Sequence, residues 1–322
     1  MNLPADPLST GFRQSSGPER IIYSALRDRP RLEWPDGKRL ALWIVPNIEF
    51  FEYMPGRPHT RDPWPRMPHP DIQGYSLRDY GPRVGFWRML EVFDEYKVRA
   101  TMSLNVACYA HFPELRDACE ARGYDAMSHG IYNSEYISEL PEDDERADIK
   151  RTLDLFEEHS GGRKITGWYS SAGSPSFVTP DLLAEAGVQY FVDWMYDDQP
   201  FPMQVRSGQL ISMPYSMDPN DARNLREPGI EAADFIATIK DQFDRLYQES
   251  EETGLVMTLA LHPYVMGQPH RIGYLRKLFD YIFSHDGVWQ TTGVEITQWF
   301  VDNHLTKLNA HLAEVEERKG AA

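Results

Sequence analysis

Several polar residues sit at the ends of apolar, β-rich runs in this chain: Asn47 and Glu49, His129, the Tyr169-Ser170-Ser171 group, Asp193, Tyr215 with Asp218, and His262. Glu49 follows the run RLALWIVPNI. A carboxylate there suits a general base or a metal ligand, and equally a helix cap or salt-bridge partner. His129 and His262 each follow small or apolar residues, and imidazole supplies both proton transfer near neutral pH and metal ligation. Asp193 lies inside YFVDW, where a buried carboxylate needs a partner. Orienting His262 or His129 is one role for it, and a structural hydrogen bond to a loop is the other. Tyr169, Ser171, Asp198 and Tyr215 are candidate substrate contacts. Tyr80 and Arg83, in YGPR, are candidates at the edge of a long loop.

The elements that must position these groups alternate along the chain. Residues 39–50 read as a buried strand. A loop follows over 54–82, with seven prolines, the aromatic residues Trp64, Tyr75 and Tyr80, and the histidines His59 and His69. Its length suggests a lid over a site. The pattern then predicts a helix over 84–96, a strand over 100–107, a helix over 113–122, a strand end over 126–130 and a helix over 142–160. Further on it predicts a strand over 165–171, a helix over 179–186 with Thr179 as cap, and strands over 189–194 and 210–216. The last units are a helix over 231–248, a strand over 255–262, a helix over 271–285, a strand at VWQTTG and a helical tail from Glu295. About seven β–α repeats without a linker predict one barrel-like α/β domain. Its boundaries are an arm over 1–36, a barrel over 37–300 and a tail over 301–322. The chemical residues then converge at the carboxyl ends of the strands, on one face of the barrel.

Composition bounds the partners. Of 322 residues, 33 are Lys or Arg and 49 are Asp or Glu, a formal net charge of −16. Such a field repels nucleic acid and anionic membrane. The acidic runs at 142–145 and 249–252 read as solvated helix ends. No apolar run approaches the roughly 20 residues of a membrane span. The amino-terminal stretch does not read as a signal peptide. With only Cys108 and Cys119, both expected at the barrel wall, a reduced cytoplasmic setting is expected. Phosphate-loop, GxSxG, HExxH and CxxC patterns are missing from the sequence, and GRKITG at 162–167 lacks phosphate-loop spacing.

Seven pieces occur in a telling order: PNIEF (46–50), YGPRVGFWRML (80–90), SHGIYN (128–133), GWYSSAGSP (167–175), YDDQPF (196–201), MPYSMDPND (213–221) and LHPYVMGQPHR (261–271). Together they resemble the polysaccharide deacetylase superfamily, of carbohydrate esterase family 4 type. The resemblance is strongest to its allantoinase and cyclic-imide hydrolase branch, over about residues 37–300. It implies an irregular (β/α)7-8 barrel. It also implies Glu49, His129 and Asn133 at the metal positions, with a single zinc, cobalt or manganese ion, and His262 as proton donor. Three groups depart from the sugar enzymes: Asn47 and Glu49 stand for two aspartates, Asn133 for a histidine, and Ala172 near an arginine position. Metal-independent action therefore stays open.

The function expected is hydrolysis of a non-peptide C–N bond in a small amide, cyclic amide, imide or ureide. Glu49 would activate water, alone or through the ion, and His262 would protonate the leaving nitrogen. The alternatives are a carbohydrate N- or O-deacetylase with an atypical metal site, and a non-catalytic ligand-binding homologue. The resemblance also implies a homodimer or homotetramer, and the arm and the amphipathic region around 296–312 are segments that could each dock on a neighbour.

Overall fold

A computed structural model of the protein describes residues 20–55, 70–138, 140–226 and 230–320. Nine strands are present among them: β1 (Leu40–Ile48), β2 (Thr101–Leu104), β3 (Asp125–Ser128), β4 (Gly167–Trp168), β5 (Tyr190–Phe191), β6 (Phe201–Met203), β7 (Leu210–Ser212), β8 (Leu255–Leu261) and β9 (Val288–Thr291). Their order is β6-β7-β5-β4-β3-β2-β1-β8, with β9 paired to the start of β1. All pairings are parallel except β6 with β7. The two ends of this curled sheet approach each other. Asn220 forms a parallel bridge to Ala260, and Thr258 Oγ1 donates to the Pro214 carbonyl at 2.6 Å. The result is the irregular α/β barrel that the repeats predict.

β1 shows why the barrel forms. Its nine residues, LALWIVPNI, are all buried, as a strand covered on both faces must be. Alternate side chains part company. Leu40, Leu42 and Ile44 pack outward with Phe93, Leu278 and Phe279. Ala41, Trp43 and Val45 join Tyr190, Val192 and Ile211 in the interior. Trp43 would bury an unpaired indole N–H there, and instead donates to Thr101 Oγ1 at 2.9 Å.

The helices are α1 (Ile72–Tyr80), α2 (Phe86–Glu95), α3 (Ala107–His111), α4 (Pro113–Ala121), α5 (Glu142–His159), α6 (Thr179–Glu185), α7 (Asp221–Arg226), α8 (Ala232–Glu249), α9 (Pro263–Met266), α10 (Ile272–Ile282), α11 (Gly293–Asn303) and α12 (Leu305–Gly320). No helix among the described residues is long and apolar enough to cross a membrane. Cys108 and Cys119 are free and buried in α3 and α4.

Three expectations need correction. The 54–82 segment is not all loop: Asp71 caps α1, accepting from Gly74 N at 2.9 Å, and a π-helical turn (Gly81–Gly85) joins α1 to α2. His59, Trp64 and His69 lie outside the described residues. The expected strand over 100–107 ends at Leu104, and its last residue already starts α3. The 142–145 run does open α5, where carboxylates favour the helix dipole, but Glu145 is buried and accepts from Thr179 Oγ1 at 2.5 Å. Leu32 and Trp34 of the arm and Leu305, Leu308 and Leu312 of the tail bury their side chains in an interior cluster of this chain.

The π-helical turn matters for the site because it packs backbone to backbone on α9. A methyl group at Gly85 would collide with the Pro263 carbonyl oxygen, and one at Gly267 would collide with that oxygen and with Gly85 itself. Gly85→Ala is therefore expected to lower stability by about 1–3 kcal/mol through overpacking. Denaturant unfolding measures it. A variant that unfolds at the wild-type midpoint would remove this close approach from the list of constraints.

Candidate active site

The register of β1 and β8 brings two of the expected groups together. Pro46 pairs with Leu261, so Glu49 and His262 leave neighbouring strands at the same end. His129 leaves β3 at that end too, two strands along from β1. Glu49 Oε1 lies 3.4 Å from His129 Nε2 and 3.4 Å from His262 Nε2. All three residues are buried.

Each histidine is held from behind. His262 Nδ1 is 2.7 Å from Asp221 Oδ1, and its backbone N–H donates to Asp221 Oδ2 at 2.9 Å. Asp221, the first residue of α7, is fully buried. This contact directs the Nδ1 proton to Asp221 and turns Nε2 to Glu49. The His129 ring stacks on Tyr169 (centroids 4.5 Å, 14° between planes), and Tyr169 rests on Tyr215 at 5.0 Å. The His129 backbone donates to the Leu104 carbonyl at 2.7 Å and accepts from Asn105 Nδ2 and Ser171 Oγ. Gly130 has a φ of +73°, and a side chain there would strike Ser171 Oγ, so this tight turn needs glycine.

Burial opposes ionisation of Glu49, but the adjacent His262 charge and the hydrogen bonds from His129 and His262 more than offset it, holding the carboxyl well below the usual carboxylate range. For His262, burial favours the neutral ring. The Glu49 charge and the Asp221 contact outweigh that and raise it to about 9. At neutral pH the pair is an ionised carboxylate beside an imidazolium.

A cavity of about 340 Å³ opens over this pair. Glu49, His129, Asn133, Tyr169, Ala172 and His262 line it on the barrel side. Phe51, Arg78, Tyr136, Met217 and Tyr264, with the 220–226 segment, close it. His129 Nδ1 and Glu49 Oε2 have no hydrogen-bond partner among the described residues.

The other expected residues divide. Tyr215 and Ser171 do not line the cavity. Tyr215 is buried behind Tyr169 and exchanges contacts with Asn47, which donates to its hydroxyl at 3.2 Å, and Ser171 supports His129 as described. Asp193 accepts from Ser170 N at 2.9 Å, while the carboxylate that orients His262 is Asp221. Asp198 is exposed, and its carbonyl receives Val256 N at the amino end of β8, away from the site. Tyr80 accepts from Arg88 at 2.7 Å and lines an adjoining cavity rather than this one, and exposed Arg83 pairs with Asp79 at 2.7 Å. Asp221, Arg78, Arg223, Arg226 and Tyr264 were not singled out by the sequence. Asp221 had one signal, its place at the end of MPYSMDPND.

The metal assignment does not fit either. Asn133 spends its amide oxygen on Ala172 N at 3.1 Å. Among the described residues, no group of three His, Cys, Asp or Glu is arranged to hold a metal ion. Glu49 is instead engaged with two imidazoles.

Comparison with known proteins agrees with the barrel and its motifs. Residues 74–191 match the family described as polysaccharide deacetylase, a stretch that holds His129 and Asn133 but not Glu49 or His262. A Schizosaccharomyces pombe protein provisionally named polysaccharide deacetylase is 29% identical over 303 residues, 85% of this chain and 94% of that one. A solved structure from Pseudomonas aeruginosa PAO1, also provisionally named polysaccharide deacetylase, is 26% identical, with a TM-score of 0.74 over 85% of this chain and 95% of the other. The solved structure of PuuE allantoinase is 25% identical, with a TM-score of 0.73 over 94% of this chain and 99% of the other. The chain is thus similar to polysaccharide deacetylases in sequence over residues 74–191, and to solved structures of that kind and to PuuE allantoinase in fold over most of its length.

Proposed function

We propose that this protein hydrolyses a non-peptide C–N bond in a small amide, cyclic amide, imide or ureide. The observation that carries the reading is the Asp221–His262–Glu49 arrangement at the floor of a cavity of about 340 Å³. That volume is near the lower end for small-molecule sites and accommodates one substituted ring. The likeness to PuuE allantoinase supports the ureide class.

The chemistry follows from the two protonation states. Glu49 accepts a proton from water as the water oxygen bonds to the carbonyl carbon. The imidazolium of His262 gives its Nε2 proton to the nitrogen as the C–N bond breaks. The products are a carboxylic or carbamic acid and an amine or amide. Proton transfer from Glu49 to His262 then restores the starting pair. Glu49 is a weak base while His262 touches it. A substrate that parts the two removes the charge depressing the carboxylate, so the base strengthens as the site fills. Asp221 stabilises the imidazolium and fixes its direction. His129 holds the same carboxylate oxygen from its other side.

Removal of an acetyl group from an amino sugar would use the same acid and base, and the names of the family and of the Schizosaccharomyces pombe relative favour that second reading. Assay on dihydrouracil, succinimide, hydantoin and allantoin beside N-acetylglucosamine oligomers separates them. Turnover of the small cyclic compounds is expected, and turnover confined to the oligomers would refute the proposal. Glu49→Gln and His262→Ala are each expected to lower kcat by about 10²–10⁴-fold. Full activity in either would overturn the roles assigned.

The pH profile gives a separate test. His262 works in its protonated form, which is present below its raised value and lost above it. The profile of kcat/KM should therefore fall as pH rises through about 9. Asp221→Asn removes a charge that helps hold the proton, so its alkaline limb should move to lower pH. An unmoved limb would detach Asp221 from His262.

A further inference from the structure

The wall of the cavity facing away from the barrel is cationic, in a protein whose net charge is −16. Arg223 and Arg226, three residues apart on α7, both line it, and Arg78 adds a third guanidinium. Glu49, paired with His262, is the single carboxylate among the lining residues. Most described arginines have a carboxylate partner, as in Arg20–Asp181, Arg29–Asp197 and Arg206–Glu142. Arg223 and Arg226 have none among the described residues. Arg226 is half-buried, its guanidinium 5.5 Å from the centre of the Tyr264 ring. The same ring lies 5.5 Å from the His262 imidazole. The proton donor and a guanidinium fork therefore flank one aromatic ring in the same cavity, a spacing on the scale of a small molecule.

A second cavity, of about 680 Å³, continues from this point. It shares Arg226 and Tyr264 with the first, and its other cationic or titratable lining includes Arg271 and His270 without any carboxylate. Arg271 donates to the Val265 and Leu225 carbonyls, which brace it against the same side of α7. A half-buried guanidinium without an anionic acceptor is poorly compensated, and its planar fork matches a carboxylate.

We infer that the substrate carries a carboxylate beyond the scissile C–N bond, seated by Arg226 with Arg223 beside Tyr264. The substrate class is an N-acyl or N-carbamoyl amino acid, or a cyclic ureide with a carboxylate arm. This rests on the C–N hydrolysis proposed above and adds the group that selects the substrate. Local positive charge at the mouth also offsets the repulsion that the whole protein exerts on an anion.

Two measurements on the full chain test it: kcat/KM for the matched pairs N-acetylglycine with N-acetylglycinamide and N-carbamoylglycine with its carboxamide, and calorimetric titration with succinate. Each is made on wild type, Arg226→Gln and Arg223→Gln; Arg223 is exposed, so that variant keeps the test open should Arg226→Gln fold poorly. The wild type should prefer the carboxylate of a pair by about tenfold or more, and Arg226→Gln should abolish most of that preference. Succinate should bind the wild type and lose about tenfold in affinity in each variant. Preference with matching loss in the variants supports the inference. Equal turnover of carboxylate and carboxamide overturns it while leaving C–N hydrolysis intact. Succinate bound through Arg226 without turnover of any pair upholds the anion site and overturns N-acyl and N-carbamoyl amino acids as its substrates, leaving C–N hydrolysis to the assay on the cyclic compounds. Succinate binding that is absent, or unchanged by both substitutions, overturns the anion site.

Discussion

A buried, ionised carboxylate shared by two imidazoles is the constraint on which the rest of the site depends. Glu49 at the end of β1 would be costly to bury alone. His262 supplies the compensating charge, and that charge requires Asp221 behind it. Each member thus demands the next, and each comes from a different part of the chain: β1, the end of β8 and the start of α7. The strand order meets the demand, since β1 and β8 are neighbours and β3 stands two places from β1 on the other side. A sheet that paired these strands in another register would leave a charge without its partner.

Precision in such a group comes from backbone contact more than from side-chain packing. The turn after β8 carries His262 into α9, and α9 lies against the π-helical turn with glycine at both points of closest approach. The same turn leads from α1, which carries Arg78 into the cavity wall. On the other side, Asn105 and Ser171 both donate to the His129 carbonyl, and Tyr169 covers the ring. Floor and wall of the cavity are consequently linked through rigid segments, the arrangement proton transfer over hydrogen-bond distances needs.

What could be read in advance follows from these physical sources. Glu49, His129 and His262 were legible because long or β-rich apolar runs end beside them, and such runs can only be buried strands. Asp221 was not, since it follows an irregular stretch and starts a helix of six residues, too short for any periodicity. Asp193 attracted the orienting role because a carboxylate inside FVDW must be satisfied; the requirement was real, and a backbone N–H of Ser170 meets part of it. The helix α1 was hidden by the prolines that precede it, and with it Arg78. The arginines of α7 carry no pattern at all in the sequence; only the folded cavity shows that they face the same space as Glu49.

Residues 133 and 172, where the resemblance places two departures from the sugar-deacetylase pattern, are joined in one structural unit. Ala172 adopts a left-handed conformation, with φ of 49° and ψ of 25°, which a non-glycine residue holds at a cost of roughly 1–3 kcal/mol unless its surroundings fix it. The side-chain oxygen of Asn133 accepts from the Ala172 N–H, and Gly173 N and Ser174 N close the turn on Ser170 and Ser171. A histidine at 133 would offer no amide oxygen to that N–H. The asparagine and the strained alanine therefore support each other, and together they turn toward the loop a group that the resemblance would have facing a metal ion. With that side of the cavity committed to holding its own backbone, the charged chemistry concentrates on Glu49, His262 and Asp221, and the remaining cationic wall is left to the substrate.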